Sequence, residues 1–133
     1  MSFSIAHTTI DAHDSYALSE WWKRVLGWSD LPDDPNLPEH EECMIVDPQG
    51  EGRLLFIRVP DEELPAKRIH FDVRPRERTR DEEVAWLQTV GATVVDDQRE
   101  VRGDGTGWVV MADPEGNVFC VLRSQAELDA ARG

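Results

Sequence analysis

The chain has 133 residues, room for one compact domain or two small modules. Hydrophobic residues make up 40% and charged residues 31%, the balance of a globular protein large enough to bury a core without staples. Fourteen bases against 27 acids leave a net charge of −13, which excludes free nucleic acid and anionic membrane surfaces as partners and suits a cationic small molecule.

The start, Met1 to His7, has neither a basic region nor a long apolar run. No stretch approaches the ~20 apolar residues of a membrane span. Cys43 and Cys120 stand far apart inside apolar stretches, which points to reduced thiols in a cytoplasmic protein.

Residues 3–12 alternate, with Ala6, Thr8 and Ile10 on one side and Ile5, His7, Thr9 and Asp11 on the other. That pattern predicts a strand. Asp14 and Ser15 offer N-caps to a helix whose Leu18, Trp21, Trp22, Val25 and Leu26 recur at helical spacing. Gly27 ends it. Pro32, Pro35 and Pro38 then forbid a regular helix. Between Val25 and Gly52 there are eight acids and no Lys or Arg, an acidic loop framing a short edge strand. Strands follow at 43–47 and 53–59, joined by the turn Asp47-Pro48-Gln49-Gly50.

Lys67 to Arg74 alternates strictly, with Ile69, Phe71 and Val73 opposed to Arg68, His70, Asp72 and Arg74. A helix is expected over 78–90, capped by Thr79 or Asp81 and closed by Gly91. Strands are expected at 93–96, 108–112 and 118–123, with a glycine-bearing loop at 101–107 and the turn Asp113-Pro114-Glu115-Gly116. A short helix at 125–132 ends the chain.

These landmarks repeat. His7 and His70 are 63 positions apart, Gly27 and Gly91 are 64 apart, and the two Asp-Pro turns are 66 apart. Each half reads strand, helix, glycine, strand, strand, turn, strand. The fold class is therefore α+β: a single domain, 1–133, of two tandem βαβββ modules (3–60 and 65–124) forming a curved mixed sheet with a central cleft. A cleft between repeated sheets is a common place for a small ligand.

The chain resembles the vicinal oxygen chelate superfamily, which includes glyoxalase I, bleomycin-resistance proteins and extradiol dioxygenases. The resemblance rests on Ile5-Ala6-His7-Thr8-Thr9-Ile10 before a helix ending Val25-Leu26-Gly27-Trp28, and on Arg68-Ile69-His70-Phe71-Asp72-Val73 before a helix ending Val90-Gly91-Ala92. Its strongest part is the closing hairpin, Met111 to Leu122. Metal-dependent members take one ligand from the first and last strand of each module. The resemblance thus implies His7 and His70 as metal ligands, with Cys120 at the last position of the second module. In the first module that position falls at Phe56 or Ile57, where a carboxylate is missing. Cys120 stands among Val118, Phe119, Val121 and Leu122, which favours a small buried hydrophobe over a ligand. A divalent Zn, Ni, Mn or Fe ion is the implied cofactor.

Asp72 lies two residues from His70 on the same side of its strand, an arrangement suited to proton abstraction or to a simple ion pair. Thr9, Asp11, Arg68 and Arg74 share the faces of the two histidines, and Trp108 enters the closing hairpin; these are the candidate substrate-binding residues. His13 and His40 read as surface residues, and Trp21, Trp22 and Trp86 as packing. Two functions follow. The first is a glyoxalase-like small-molecule-binding protein with an incomplete metal site, sequestering a bulky or cationic metabolite or drug. The second is a metal-dependent lyase, isomerase or dioxygenase acting on a small oxygen-rich substrate through His7 and His70. A homodimer is the expected assembly.

Overall fold

The computed structural model describes residues 4–60 and 70–132. The chain divides into two compact units, Met1–Ala66 and Lys67–Gly133. Each holds a four-stranded mixed sheet, and together they give the expected α+β duplication.

The first unit runs β1 (Thr8–Ala12), α1 (Ser15–Leu26), β2 (Ser29–Asp30), β3 (Glu42–Val46) and β4 (Arg53–Arg58). The strand order is β1-β4-β3-β2, with β1 parallel to β4 and the other pairs antiparallel. The Asp14 side chain accepts a bond from the Ala17 N–H at 3.0 Å and opens α1. Gly27, at φ 70°, closes it in a left-handed turn that other residues adopt only with strain. The buried stripe of α1 is Ser15, Leu18, Ser19 and Trp22. Trp21, Val25 and Leu26 are only half-buried. Small serines let the helix approach the sheet beside Cys43, a contact that hydropathy alone assigns to the exterior. Trp21 packs edge-on against Trp22, with centroids 5.0 Å apart.

The acidic stretch is tied down by few groups. Lys23 on α1 reaches Asp30 at 3.0 Å and Glu20 at 2.7 Å. Buried Asn36 donates to Asp30 and to the Met44 carbonyl. His40 is half-buried rather than a free surface residue, because its ring accepts the Leu37 N–H and its carbonyl accepts the Ser15 hydroxyl.

The second unit runs β5 (Phe71–Val73), α2 (Arg80–Thr89), β6 (Thr93–Asp97), β7 (Val109–Ala112), β8 (Val118–Val121) and α3 (Gln125–Arg132). Its order, β5-β8-β7-β6, repeats the first sheet strand for strand. Strands β1 and β5 begin after their histidines, later than the alternation predicts; residues 67–69 lie outside those described. Thr79, not Asp81, caps α2 in a reciprocal capping box with Glu82.

Arg80 is a charged residue in the first helical turn, yet it is only 6% exposed. Its guanidinium donates to the Gly105 carbonyl at 2.9 Å, to the Gly107 carbonyl at 2.8 Å and to Asp81 at 2.9 Å. Asp81 also accepts from Arg99, which pairs with Asp97 at 2.7 Å. The glycine-bearing loop is thus anchored to α2. Glu127 on α3 accepts the N–H groups of Ser124 and Arg80, tying α3 to the start of α2.

The acids of this network are held below their ordinary range. Arg99 takes Asp97 down to about 2, and Arg80, then Arg99, lowers Asp81. Burial opposes ionisation of Glu127, but the Ser124 and Arg80 N–H groups outweigh it. A carboxylate depressed in the fold contributes stability that is complete above its unfolded pKa of roughly 3.9 to 4.3. The contribution is lost as pH falls, for Asp97 through about 2. Urea unfolding of the whole chain between neutral pH and pH 2 is expected to show falling stability on this acid limb. Arg99→Gln should flatten it, and parallel curves for the two proteins would refute the assignment.

Candidate functional site on the second sheet

Strand alternation gives the second sheet two unlike sides. Phe119, Val121, Val109 and Met111 are fully or almost fully buried. The opposite side carries a row that crosses the sheet in strand order. Asp72 on β5 pairs with Cys120 on β8, Cys120 with Val110 on β7, and Val110 with Asp96 on β6. Partners in register project to the same side. The row therefore has carboxylates at its ends and an apolar middle.

His70 stands two residues before Asp72, so its ring falls on this side too. Its Nε2 lies 3.3 Å from Asp72 Oδ1, with both side chains about half exposed. The donor atoms of His70, Asp72 and Cys120 all lie within 4.8 Å of one another. Cys120 is 8% exposed, so the expectation of a small buried residue holds for its burial. Its sulfur also converges with an imidazole and a carboxylate. Burial first, then the charge of Asp72, pushes the Cys120 thiol up. The free side chain is thus a neutral thiol at pH 7 and a poor nucleophile.

Cys43 provides the contrast. Its thiol is also raised by burial, but its polar neighbours are the Ser15 and Ser19 hydroxyls and the His40 carbonyl, to which it donates. It belongs to the helix-packed side of the first sheet. Both cysteines are free.

The duplication locates the equivalent row in the first unit. Thr9 pairs with Leu55 as Asp72 pairs with Cys120, and Leu55 pairs with Met44 as Cys120 pairs with Val110. The counterpart of Cys120 is therefore Leu55, not Phe56 or Ile57. Phe56 is fully buried on the packed side, and a shift of one residue exchanges the two faces. His7 precedes β1 and is exposed, beside Thr9 and Leu55, neither of which is a strong metal ligand.

Asp11 is half-buried on β1 beside Ile57. Arg68 lies outside the described residues. Arg74 donates its Nη1 to the Arg123 carbonyl, which joins the ends of β5 and β8. Trp108 is half-buried just before β7, and the Arg102 guanidinium stands 5.6 Å from its ring centroid. One aromatic face offered to a cationic ligand is thus already occupied by a cation. Arg78 covers Trp86 in the same way, at 5.3 Å.

Residues 7–122 match the model of the glyoxalase-like domain family. The chain belongs to that family. It is thereby a member of the vicinal oxygen chelate superfamily. The fosfomycin resistance protein FosX from Listeria monocytogenes superposes with a TM-score of 0.66 at 12% identity, over 93% of this chain and 92% of that one. Lactoylglutathione lyase from Agrobacterium tumefaciens gives 0.60 at 19% identity, over 92% and 93%. The oxidase ChaP-H2 gives 0.62 at 20% identity, over 92% and 94%. Comparison with curated proteins finds no match. At such identities the structural likeness establishes the fold alone, which the family uses for enzymes and for resistance proteins alike. No helix among the described residues of this glyoxalase-like chain is long and apolar enough to cross a membrane.

The family's use of divalent metals raises the question of fit. A nitrogen, a carboxylate oxygen and a sulfur within one small cluster form a donor set that a borderline-soft ion accepts. Two of the three side chains, His70 and Asp72, are exposed. The residues therefore fit.

Proposed function

We propose that this glyoxalase-like protein binds a small oxygen-bearing molecule on the open side of its second sheet, with His70, Asp72 and Cys120 at the centre. The observation that carries the reading is the convergence of these three donors, against the donor-poor row Thr9, Leu55, Met44 in the first unit. The three residues would hold a divalent ion. When bound, that ion supplies Lewis-acid polarisation of a ligand carbonyl or enediolate oxygen. Val110 offers an apolar floor beside it, and His70 paired with Asp72 is placed to hold or move a ligand proton. This order reverses the expectation from sequence, in which metal-free sequestration came first. Metal-dependent lyase, isomerase or dioxygenase chemistry is the class that suits such a site.

Sequestration of a cationic ligand stays as the second reading, favoured by the carboxylates of Asp72 and Asp96 at the two ends of the apolar row. A homodimer in the cytoplasm is consistent with either reading, and two unpaired cysteines support the compartment.

Thermal unfolding separates the two. The chelator-stripped chain, the zinc-loaded chain and both with acetohydroxamate or benzyltrimethylammonium are compared. Under the first reading acetohydroxamate stabilises only the loaded protein, by about 2.7 kcal/mol at a hundredfold excess over its Kd. Stabilisation of the stripped protein by the quaternary ammonium ion would transfer the conclusion to sequestration. No shift with either probe would remove both.

A further inference from the structure

We infer that Asp96 is a specificity-determining residue of the site on the second sheet, and that it selects a ligand with an oxygen donor at one end and an ammonium group at the other. The inference rests on the small-molecule site proposed above, but it concerns a residue outside the donor cluster and the chemical class of the ligand. It starts from an irregularity in the edge strand. Along β6 and β7, Val94 pairs with Met111 and Asp96 with Val110, so two steps on β6 answer one step on β7. Val95 is the extra residue of a β-bulge and is 56% exposed.

The bulge decides which carboxylate faces which side. In an unbroken register Val95 would oppose Val110, and Asp96 would oppose Val109, which is fully buried on the helix-packed side. The extra residue instead sets Asp96 opposite half-buried Val110, on the open side, and Asp97 opposite Val109. The two carboxylates then differ in their partners. Asp97 pairs with Arg99, which also reaches Asp81 on α2. One Asp96 oxygen accepts the Gln98 side-chain amide, and among the described residues no cation pairs with this carboxylate. In the first unit the corresponding edge strand, β2, pairs with β3 only at Ser29 and Asp30, in unbroken register.

Adjacent strands lie about 4.8 Å apart, which puts Asp96 about 10 Å from Cys120 with Val110 between them. A ligand laid across the strands thus meets the donors of His70, Asp72 and Cys120 at one end, then an apolar floor, then the Asp96 carboxylate. An ammonium group on a short aliphatic arm complements that order. Because Asp96 is exposed, water screens the pairing, and its expected worth is about fivefold in affinity.

Calorimetric titration of the whole zinc-loaded chain with ε-aminocaprohydroxamate and caprohydroxamate tests this, since the probes differ only in the terminal ammonium group. The parent protein should bind the amino probe about fivefold more tightly, and high salt should shrink the preference. Asp96→Asn keeps an acceptor for Gln98 and should bind both probes alike. Asp97→Asn, one position along but on the other side of the strand, should keep the preference. Circular dichroism confirms that each variant is folded. Equal binding of the two probes by the parent protein would overturn the inference and leave the proposed site standing. So would equal loss of the preference in Asp96→Asn and Asp97→Asn. Failure of the parent protein to bind either hydroxamate would remove the site and the inference together. Self-association of Asp96→Asn with its ligand preference intact would overturn the inference by assigning the carboxylate to protection of the strand edge.

Discussion

Arg80→Met is expected to cost about 3 kcal/mol of stability, roughly a 10 °C fall in Tm, with no loss of the His70–Asp72–Cys120 donor set. Methionine preserves much of the apolar stem but removes every donor. The Gly105 and Gly107 carbonyls then lose their charge-assisted partner in a place where Arg80 is 6% exposed and little water replaces it. Asp81 retains Arg99, so its carboxylate is not stranded. Arg80→Lys should recover only part of the loss, because one ammonium does not reproduce a fork that reaches two carbonyls and a carboxylate. Chemical unfolding of the three proteins checks this. An Arg80→Met protein within 0.5 kcal/mol of the parent, about the usual spread of surface substitutions, would show that the loop is held by other contacts.

Gly107→Ala is expected to be similarly severe, at about 3 kcal/mol, for a steric reason. A Cβ built on Gly107 meets the Gln98 carbonyl oxygen at 1.8 Å and its carbon at 2.8 Å. Both are backbone atoms, so no side-chain rotation relieves the clash. The chain on either side of the loop must separate, which breaks the bonds from Gln98 N–H to the Trp108 carbonyl and from Gly107 N–H to the Arg99 carbonyl. It also displaces one acceptor of Arg80. Gly103→Ala is the control. Nothing lies within 4 Å of its Cβ, and only its φ of 79° is penalised, at about 1 kcal/mol. Because Gly107 and Arg80 share a hydrogen bond, the double variant should lose less than the sum of the singles. Equal stability of Gly103→Ala and Gly107→Ala would refute the steric argument.

Much of this fold is legible locally. The period of two around His7 and around His70 gives the faces of β1 and β5, and the caps at Asp14, Thr79 and Gly27 give the helix ends. Arg80 escaped because an arginine in a first helical turn, flanked by acids, reads as solvated. Its burial depends on carbonyls of a loop far along the chain. Ser15 and Ser19 escaped for a related reason: their small size matters to close packing more than their polarity does.

The candidate site divides along the same line. His70 and Asp72 are placed on one side by their own strand, and no tertiary information is needed for that. The role of Cys120 is invisible in Val118-Phe119-Cys120-Val121, where neighbours suggest a core position. Likewise Leu55 is not distinguishable from Phe56 or Ile57 as its counterpart without a known register.

The amino-acid order alone determined the duplication, the element types and the two faces of the opening strand of each half, because backbone sterics and side-chain alternation act between near neighbours. Only the folded sheet decided that β5 lies beside β8 with Asp72 opposite Cys120. Parallel pairing across a long crossover is chosen by the packing of the whole unit, and a slip of one residue would turn that thiol away from the imidazole.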